Sequence, residues 1–281
     1  MREIYASQVT DLIEKLFLQA NYEISSDVMQ ALKDGVRKEV STMGKDILAQ
    51  IYKNDILAKR DQIAICQDTG MSVVFIEYGQ EVTIADGDFY EAIHEGVRRA
   101  YQNGYLRKSI VAEPLFNRAN TGDNTPAVIH TKIVRGDKIK FEVSPKGFGS
   151  ENMSAVHMFA PSAGIEGVKR FVIDTVSKAG ANTCPPSIVG VGIGGTLEKA
   201  CVMAKHAVLR GCGRHNPEER YATLERELLE EINRLGIGPA GFGGRVTSLA
   251  VNVEYYPTHI ASIPVAVNLC CHAARHAKGV L

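Results

Sequence analysis

No charge of either sign predominates in this chain of 281 residues, where 32 Lys and Arg face 32 Asp and Glu. The balance excludes a broad basic face for nucleic acid or an anionic membrane. A neutral surface also gives little protection against association, so an oligomer that buries part of it is expected. No apolar run is long enough to cross a bilayer. The opening Met1-Arg2-Glu3-Ile4-Tyr5 lacks the apolar stretch of a signal peptide. A cytoplasmic protein is therefore expected, and its six cysteines are read as reduced or metal-bound, not as disulfides. None of the six forms a CxxC pair, which argues against a local metal clip. No repeat or linker divides the chain. One domain over 1–281 is expected, with 1–62 as a helical subregion.

Alternating patterns place helices and strands throughout, so the expected class is mixed α/β (α+β) with a helical N-terminal region on mixed sheets. Val9, Leu12, Ile13, Leu16 and Phe17 recur at helical spacing. Asp86-Gly87-Asp88 is suited to cap a helix running to about Gly104. Val73 to Ile76 reads as a buried strand. Strands over 127–134 and 138–143 flank Arg135-Gly136-Asp137, which reads as a hairpin turn. Further strands are expected at 187–193, 246–253 and 263–269. Asn117 to Pro126 is too polar and broken for either element.

Chemistry-bearing residues gather in the irregular stretches. Cys66 opens Cys66-Gln67-Asp68-Thr69-Gly70, Cys184 lies in Asn182-Thr183-Cys184-Pro185-Pro186, and Cys270-Cys271 precede His272-Ala273-Ala274-Arg275. Three thiolates brought together by folding hold three corners of a four-iron, four-sulfur cluster and leave one iron for a substrate oxygen. If Cys270 and Cys271 both continue a strand they face opposite ways, and spacing does not choose between them. Cys201 reads as a core residue of a helix face, and Cys212 has no obvious partner. Gly190 to Gly195 has dinucleotide-fingerprint spacing but no acidic residue about twenty positions on. It is read instead as a tight turn whose N–H groups face an anion. Taken singly, Asp68 reads as a turn residue before Gly70, Arg107 as a surface ion-pair partner and His259 as a structural histidine.

Taken together and in order, these segments resemble the class I fumarate hydratases. They are Cys66 to Gly70, Leu106-Arg107, Asn120 to Pro126, Asn182 to Pro186 with Gly190 to Gly195, and Cys271 to Arg275. The likeness runs from the N-terminal helices to the last residues and is nearest to the alpha subunit of the two-subunit type, with L-tartrate dehydratase alpha subunits as close relatives.

The resemblance implies a 4Fe-4S cluster held by Cys66, Cys184 and Cys271, with one iron free of protein ligands. It implies Gln67, Arg107 and Gly149 as substrate contacts, and Asp68 and His259 as catalytic. It further implies interconversion of (S)-malate and fumarate, a dicarboxylate substrate, and a separate beta subunit that completes the site in an alpha dimer or an α2β2 assembly. On that basis the chain alone is expected to be inactive. Tartrate dehydration to oxaloacetate is the alternative within the family. An electron-transfer iron–sulfur protein favours four cysteine ligands in compact spacing. A metal-free anion-binding module is the third possibility.

Overall fold

A computed structural model describes all residues, 1–281. In chain order the elements are β1 (Arg2–Tyr5), α1 (Ala6–Tyr22), α2 (Ser26–Lys38), α3 (Thr42–Asp61), β2 (Met71–Gly79), β3 (Val82–Ala85), α4 (Phe89–Asn103), β4 (Val128–Val134) and β5 (Ile139–Lys146). Then follow α5 (Phe148–Glu151), β6 (Ala155–Phe159), α6 (Gly164–Ala179), β7 (Ser187–Gly194), α7 (Leu197–Ala207), α8 (Glu219–Arg234), β8 (Ser248–Tyr256), β9 (Ile263–Cys270) and β10 (Ala277–Val280). The class is mixed α and β, as the patterning implied.

The chain forms two compact units. The first comprises Met1–Ile24, Asp55–Phe148 and Arg275–Leu281; the second comprises Ser25–Asn54 and Gly149–Ala274. The chain changes unit four times, twice inside elements, within α3 and α5, and twice in short connections after α1 and after β9, so no single linker marks a boundary. The stretch expected as one helical subregion, 1–62, is thereby shared between the units, and it opens with a strand.

In the first unit a four-stranded sheet runs β10-β5-β2-β4. β2 pairs parallel with β4 and antiparallel with β5. The expected β4–β5 hairpin is thus absent: β2 lies between them, and the 135–137 turn arches over its end. A Cβ on Gly79 would come 2.4 Å from the Gly136 carbonyl oxygen, so glycine is needed at the crossing. Helix α4 starts where Asp88 accepts the N–H groups of Tyr90 and Glu91. It packs on α1 so closely that a Cβ on Gly96 would meet the Ile13 side chain at 2.7 Å. Val9, Ile13, Phe17, Ile93, Val97 and Phe141 form the core.

In the second unit the sheet order is β6-β9-β7-β8. Val189 and Val191 face a core shared with α6 and α8, through Val172, Val176, Leu228 and Ile232. The alternate residues Gly190 and Gly192 face α7. There a Cβ would lie 2.1 Å from the carbonyl oxygens of Ala204 and Ala200 respectively. This corrects the expectation for the glycine run. Most of it is strand interior, with its backbone engaged by β8 and β9, and its glycines make room for a helix rather than for an anion. Gly192→Ala is expected to cost about 3 kcal/mol, the upper range for overpacking, because the obstruction is backbone. Chemical denaturation would register it; a variant of wild-type stability would contradict the packing.

Candidate active site

In the first unit, Cys66 to Gly70 links α3 to β2. The Cys66 Sγ lies 3.3 Å from Gln67 Oε1. Asp68 is held at both oxygens: Oδ1 accepts the Gly70 N–H at 3.0 Å, and Oδ2 accepts the Phe148 N–H at 2.8 Å. Gly70 has φ +78°, and a Cβ there would come 2.7 Å from the Pro145 carbonyl carbon. The turn admits only glycine.

Buried groups brace this turn from behind. The Tyr101 hydroxyl donates to the carbonyls of Thr69 and Gly70, at 2.6 and 3.2 Å. Burial pushes the Tyr101 phenol up to about 12, against the opposing charge of Arg275, so it stays a donor. Asn124, fully buried, donates to the Gly70 carbonyl at 3.2 Å and accepts the Ser109 N–H at 2.7 Å. Thr69 Oγ1 donates to the Arg107 carbonyl at 2.7 Å, leaving the Arg107 side chain exposed. The polar run ending at Pro126 therefore works as a clamp on the Asp68 turn. Within it, burial alone would raise the Asp123 carboxyl, but bonds from Thr125 and Arg98 hold it down to about 2.

The sequence reading gave Arg275 no role of its own. The structure buries it, 2% exposed, with Nη1 on Asn21 Oδ1 at 3.2 Å. Its Nη2 and the Asp68 Oδ2 lie 3.4 and 3.3 Å from the point where a Cβ on Gly147 would sit. A buried cation thus stands close to Asp68 across a glycine. The only signal in the sequence was a charge within an otherwise small-residue tail.

In the second unit, Cys184 follows a short 3-10 turn at Gly180–Thr183, with φ +50° and an exposed side chain. Its carbonyl accepts the His272 N–H at 3.3 Å. The register explains the meeting. Ile188 in β7 pairs with Cys270 in antiparallel β9, so the residues just before β7 and just after β9 share one end of the sheet. Cys184 and Cys271 are those residues. Cys270 is 7% exposed and ends β9, whereas Cys271 beyond it is half-buried. Gly149 joins them, since a Cβ there would lie 3.7 Å from the Asn182 carbonyl. Next to Gly149, Glu151 pairs with Lys205 and accepts Asn268 Nδ2 at 2.9 Å.

His259 does not join this group. It lies in the exposed turn before β9, its Nδ1 accepting the Ala261 N–H at 3.2 Å. Thr258 beside it donates to the Gly195 carbonyl, at the other end of β7. The eight residues of β9, at about 3.3 Å each, separate His259 from Cys271 by roughly 26 Å. His259 and Cys271 thus stand at opposite ends of β9.

The chemistry of the six thiols sorts them. None is in a disulfide. Burial, helped by Asp27, pushes the Cys212 thiol up to about 12, and burial raises Cys201. A cluster ligand must be a thiolate, so these two are poor donors. Cys66, Cys184 and Cys271 lie in turns outside regular elements, Cys184 exposed and the other two half-buried, and thiols are the donors that iron–sulfur clusters take. No three His, Cys, Asp or Glu side chains close around a single metal ion. Ligands of a cubane each meet a different iron and do not crowd onto one point.

The fumarate hydratase (Fumerase) family model matches residues 10–280. The chain belongs to that family. It is therefore of a hydro-lyase family, whose members remove or add water. Among curated proteins it is similar to one from Methanocaldococcus jannaschii provisionally named L(+)-tartrate dehydratase subunit alpha, at 40% identity covering 96% of each chain. It is 33% identical to L(+)-tartrate dehydratase subunit alpha of Escherichia coli strains UTI89 and K12, covering 98% of this chain and 90% of theirs. No helix of this family member is long and apolar enough to cross a membrane.

Proposed function

We propose that this chain is the alpha subunit of an iron–sulfur hydro-lyase for four-carbon dicarboxylates, dehydrating L(+)-tartrate to oxaloacetate. The observation that carries the reading is the meeting of Cys184 and Cys271 at one sheet end beside Gly149, in a chain whose relatives are named tartrate dehydratase alpha subunits. Cys66, Cys184 and Cys271 would hold a 4Fe-4S cluster. When bound, its open iron would supply Lewis-acid stabilisation of the departing hydroxyl.

The remaining work falls to this chain's side chains and to a partner. Arg107, exposed on a braced backbone, grips a substrate carboxylate with its planar fork. Gln67, beside Cys66, offers a neutral donor and acceptor to a hydroxyl. Asp68 has one lone pair of each oxygen committed to the backbone, so its free lone pairs point in fixed directions, suited to hold or pass a proton. The group that removes the carbon-bound proton is assigned to a beta subunit.

The family's own description as fumarate hydratase supports malate and fumarate as the second reading. Tartrate differs from malate by one hydroxyl, and a site built to bond that hydroxyl discriminates by about 10⁴. Anaerobically reconstituted alpha and beta subunits, assayed with both substrates, are expected to favour tartrate in kcat/KM by at least about a hundredfold. Faster turnover of malate would install the fumarate reading. Failure with both, or full activity of the chain alone, would overturn the alpha-subunit hydro-lyase reading.

A further inference from the structure

The loop after α4 holds two large apolar side chains in water on a rigid support. Leu115 is 71% exposed and Phe116 is 90% exposed, with Tyr105 at the loop's root 97% exposed. Exposed apolar residues commonly sit on mobile chain, where their cost is small. This segment is tied internally instead. Its base closes as a two-strand bridge at Val111 and Asn120, with the Ala112 N–H donating to the Ala119 carbonyl at 2.7 Å and Thr121 N–H to Ile110 at 2.9 Å. Asn120 Nδ2 donates to the Lys108 carbonyl at 2.9 Å. At the tip, the Glu113 carboxylate accepts the N–H groups of Leu115, Phe116 and Asn117, at 2.6, 2.5 and 2.7 Å. Those N–H groups hold the Glu113 carboxyl below its ordinary value. Arg118 donates to the Pro114 carbonyl and closes the turn from the other side.

A tip fixed in this way has already met the ordering cost that binding would otherwise impose. An aromatic anchor with an aliphatic neighbour, held rigid and projecting, has the form of an interface hot spot. The charge around it is directional. Glu113 is occupied by backbone donors, while Lys108 and Arg118 remain exposed. A partner that receives the tip therefore needs an apolar pocket with carboxylates at its edge.

The loop's root bears on the choice of partner. Thr69 Oγ1 is bonded to the Arg107 carbonyl, and Asn124 bonds both Ser109 and the Gly70 carbonyl. Whatever grips Leu115 and Phe116 is thus fastened, through one braced segment, to the turn carrying Gln67 and Asp68. We propose that the Leu115–Phe116 tip is the docking element for the beta subunit, and that docking there brings the partner's catalytic groups to the Asp68 turn. This inference rests on the alpha-subunit reading above.

The test is the affinity between alpha and beta subunits by titration calorimetry, with alpha-chain melting temperature and self-association measured in parallel. Leu115→Ser with Phe116→Ser is expected to weaken beta binding at least a hundredfold, with the alpha chain's melting temperature and self-association unchanged. Glu113→Ala, which keeps both apolar side chains but frees the tip, is expected to weaken it about tenfold. Beta affinity within about twofold of wild type in the double variant overturns the proposal, and so does a loss of alpha self-association with beta binding intact. If wild-type alpha binds no beta subunit, the alpha-subunit reading falls as well. If wild type binds and turns over substrate but the double variant binds equally, only the docking assignment falls.

Discussion

Cys184→Ser, prepared anaerobically with iron and sulfide and combined with the beta subunit, is expected to lose hydro-lyase activity by about a thousandfold or more. Iron and sulfide content should fall with it. The magnitude follows from the several kcal/mol of charge stabilisation that a Lewis-acidic metal contributes, at about 1.4 kcal/mol per factor of ten. Serine keeps the side chain's shape, but its hydroxyl is a hard, weakly acidic donor that does not replace a soft thiolate. Cys66→Ser and Cys271→Ser are expected to behave alike. The contrast lies in the other three cysteines. Cys270 is buried at the end of β9, and burial keeps Cys201 and Cys212 as thiols. Serine at these positions is expected to cost stability while leaving iron content within about a quarter of wild type. Loss of iron in Cys270→Ser with retention in Cys271→Ser would move the ligand to the neighbouring sulfur. Retention in all six variants would remove the cluster from the account.

The second large effect concerns stability. Glu39 is 1% exposed and ends α2. Its carboxylate accepts the N–H groups of Val40 and Ser41 at 2.7 and 2.9 Å, and those of Arg245 and Val246 at 2.8 to 3.0 Å. It joins the α2–α3 corner to the loop before β8, inside the second unit. The fit leaves no slack: a Cβ on Gly44 would come 2.9 Å from Glu39 Cγ, and one on Gly244, at φ +132°, 2.6 Å from Oε1. Burial works to raise this carboxyl, but the four backbone donors outweigh it and hold the group below the ordinary 4.5.

Glu39→Gln places an amide N–H₂ against donors already present. It is expected to cost about 3 kcal/mol, or roughly 8 °C in Tm for a chain of this size. The pH dependence has a definite sign. A depressed folded-state value means the carboxylate's contribution is complete above pH 4.5 and fades as pH falls through the lower, folded value. The gap between wild type and Glu39→Gln should therefore be constant above pH 4.5 and narrow below it. A gap that stays constant into acid, or a variant within about 1 °C of wild type, would refute the assignment.

Much of the local structure was legible because local chemistry decides it. Asp88 caps α4 where its position before Phe89 indicated, and the apolar spacing of α1 survives as its buried face. What pairs with what was less legible. β4 and β5 are separated by a turn-like Arg135-Gly136-Asp137 yet do not pair, because β2 from sixty residues earlier takes the place between them. β6 was missed since it is an edge strand exposed on both faces, so Ala155–Phe159 carries no alternation. Gly190 and Gly192 looked like ligand-binding glycines and serve instead to admit α7. At the candidate site the same division holds. The small-residue turns around Cys66, Cys184 and Cys271 stood out in the sequence. Spacing left Cys270 and Cys271 open, and Arg275 needed its place across Gly147 from Asp68. His259 lies at the far end of the extended β9 from Cys271, a separation that a residue count does not convey.

The central claim is that Cys66, Cys184 and Cys271 together carry a four-iron cluster with one iron open to a dicarboxylate. Mössbauer spectroscopy of the chain reconstituted with isotopically enriched iron and its beta subunit, with and without L(+)-tartrate, tests it most directly. One iron site in four is expected to be resolved from the rest, with a change confined to that site when tartrate is added. A protein that takes up no cluster, or four iron sites that tartrate leaves unchanged, would contradict it.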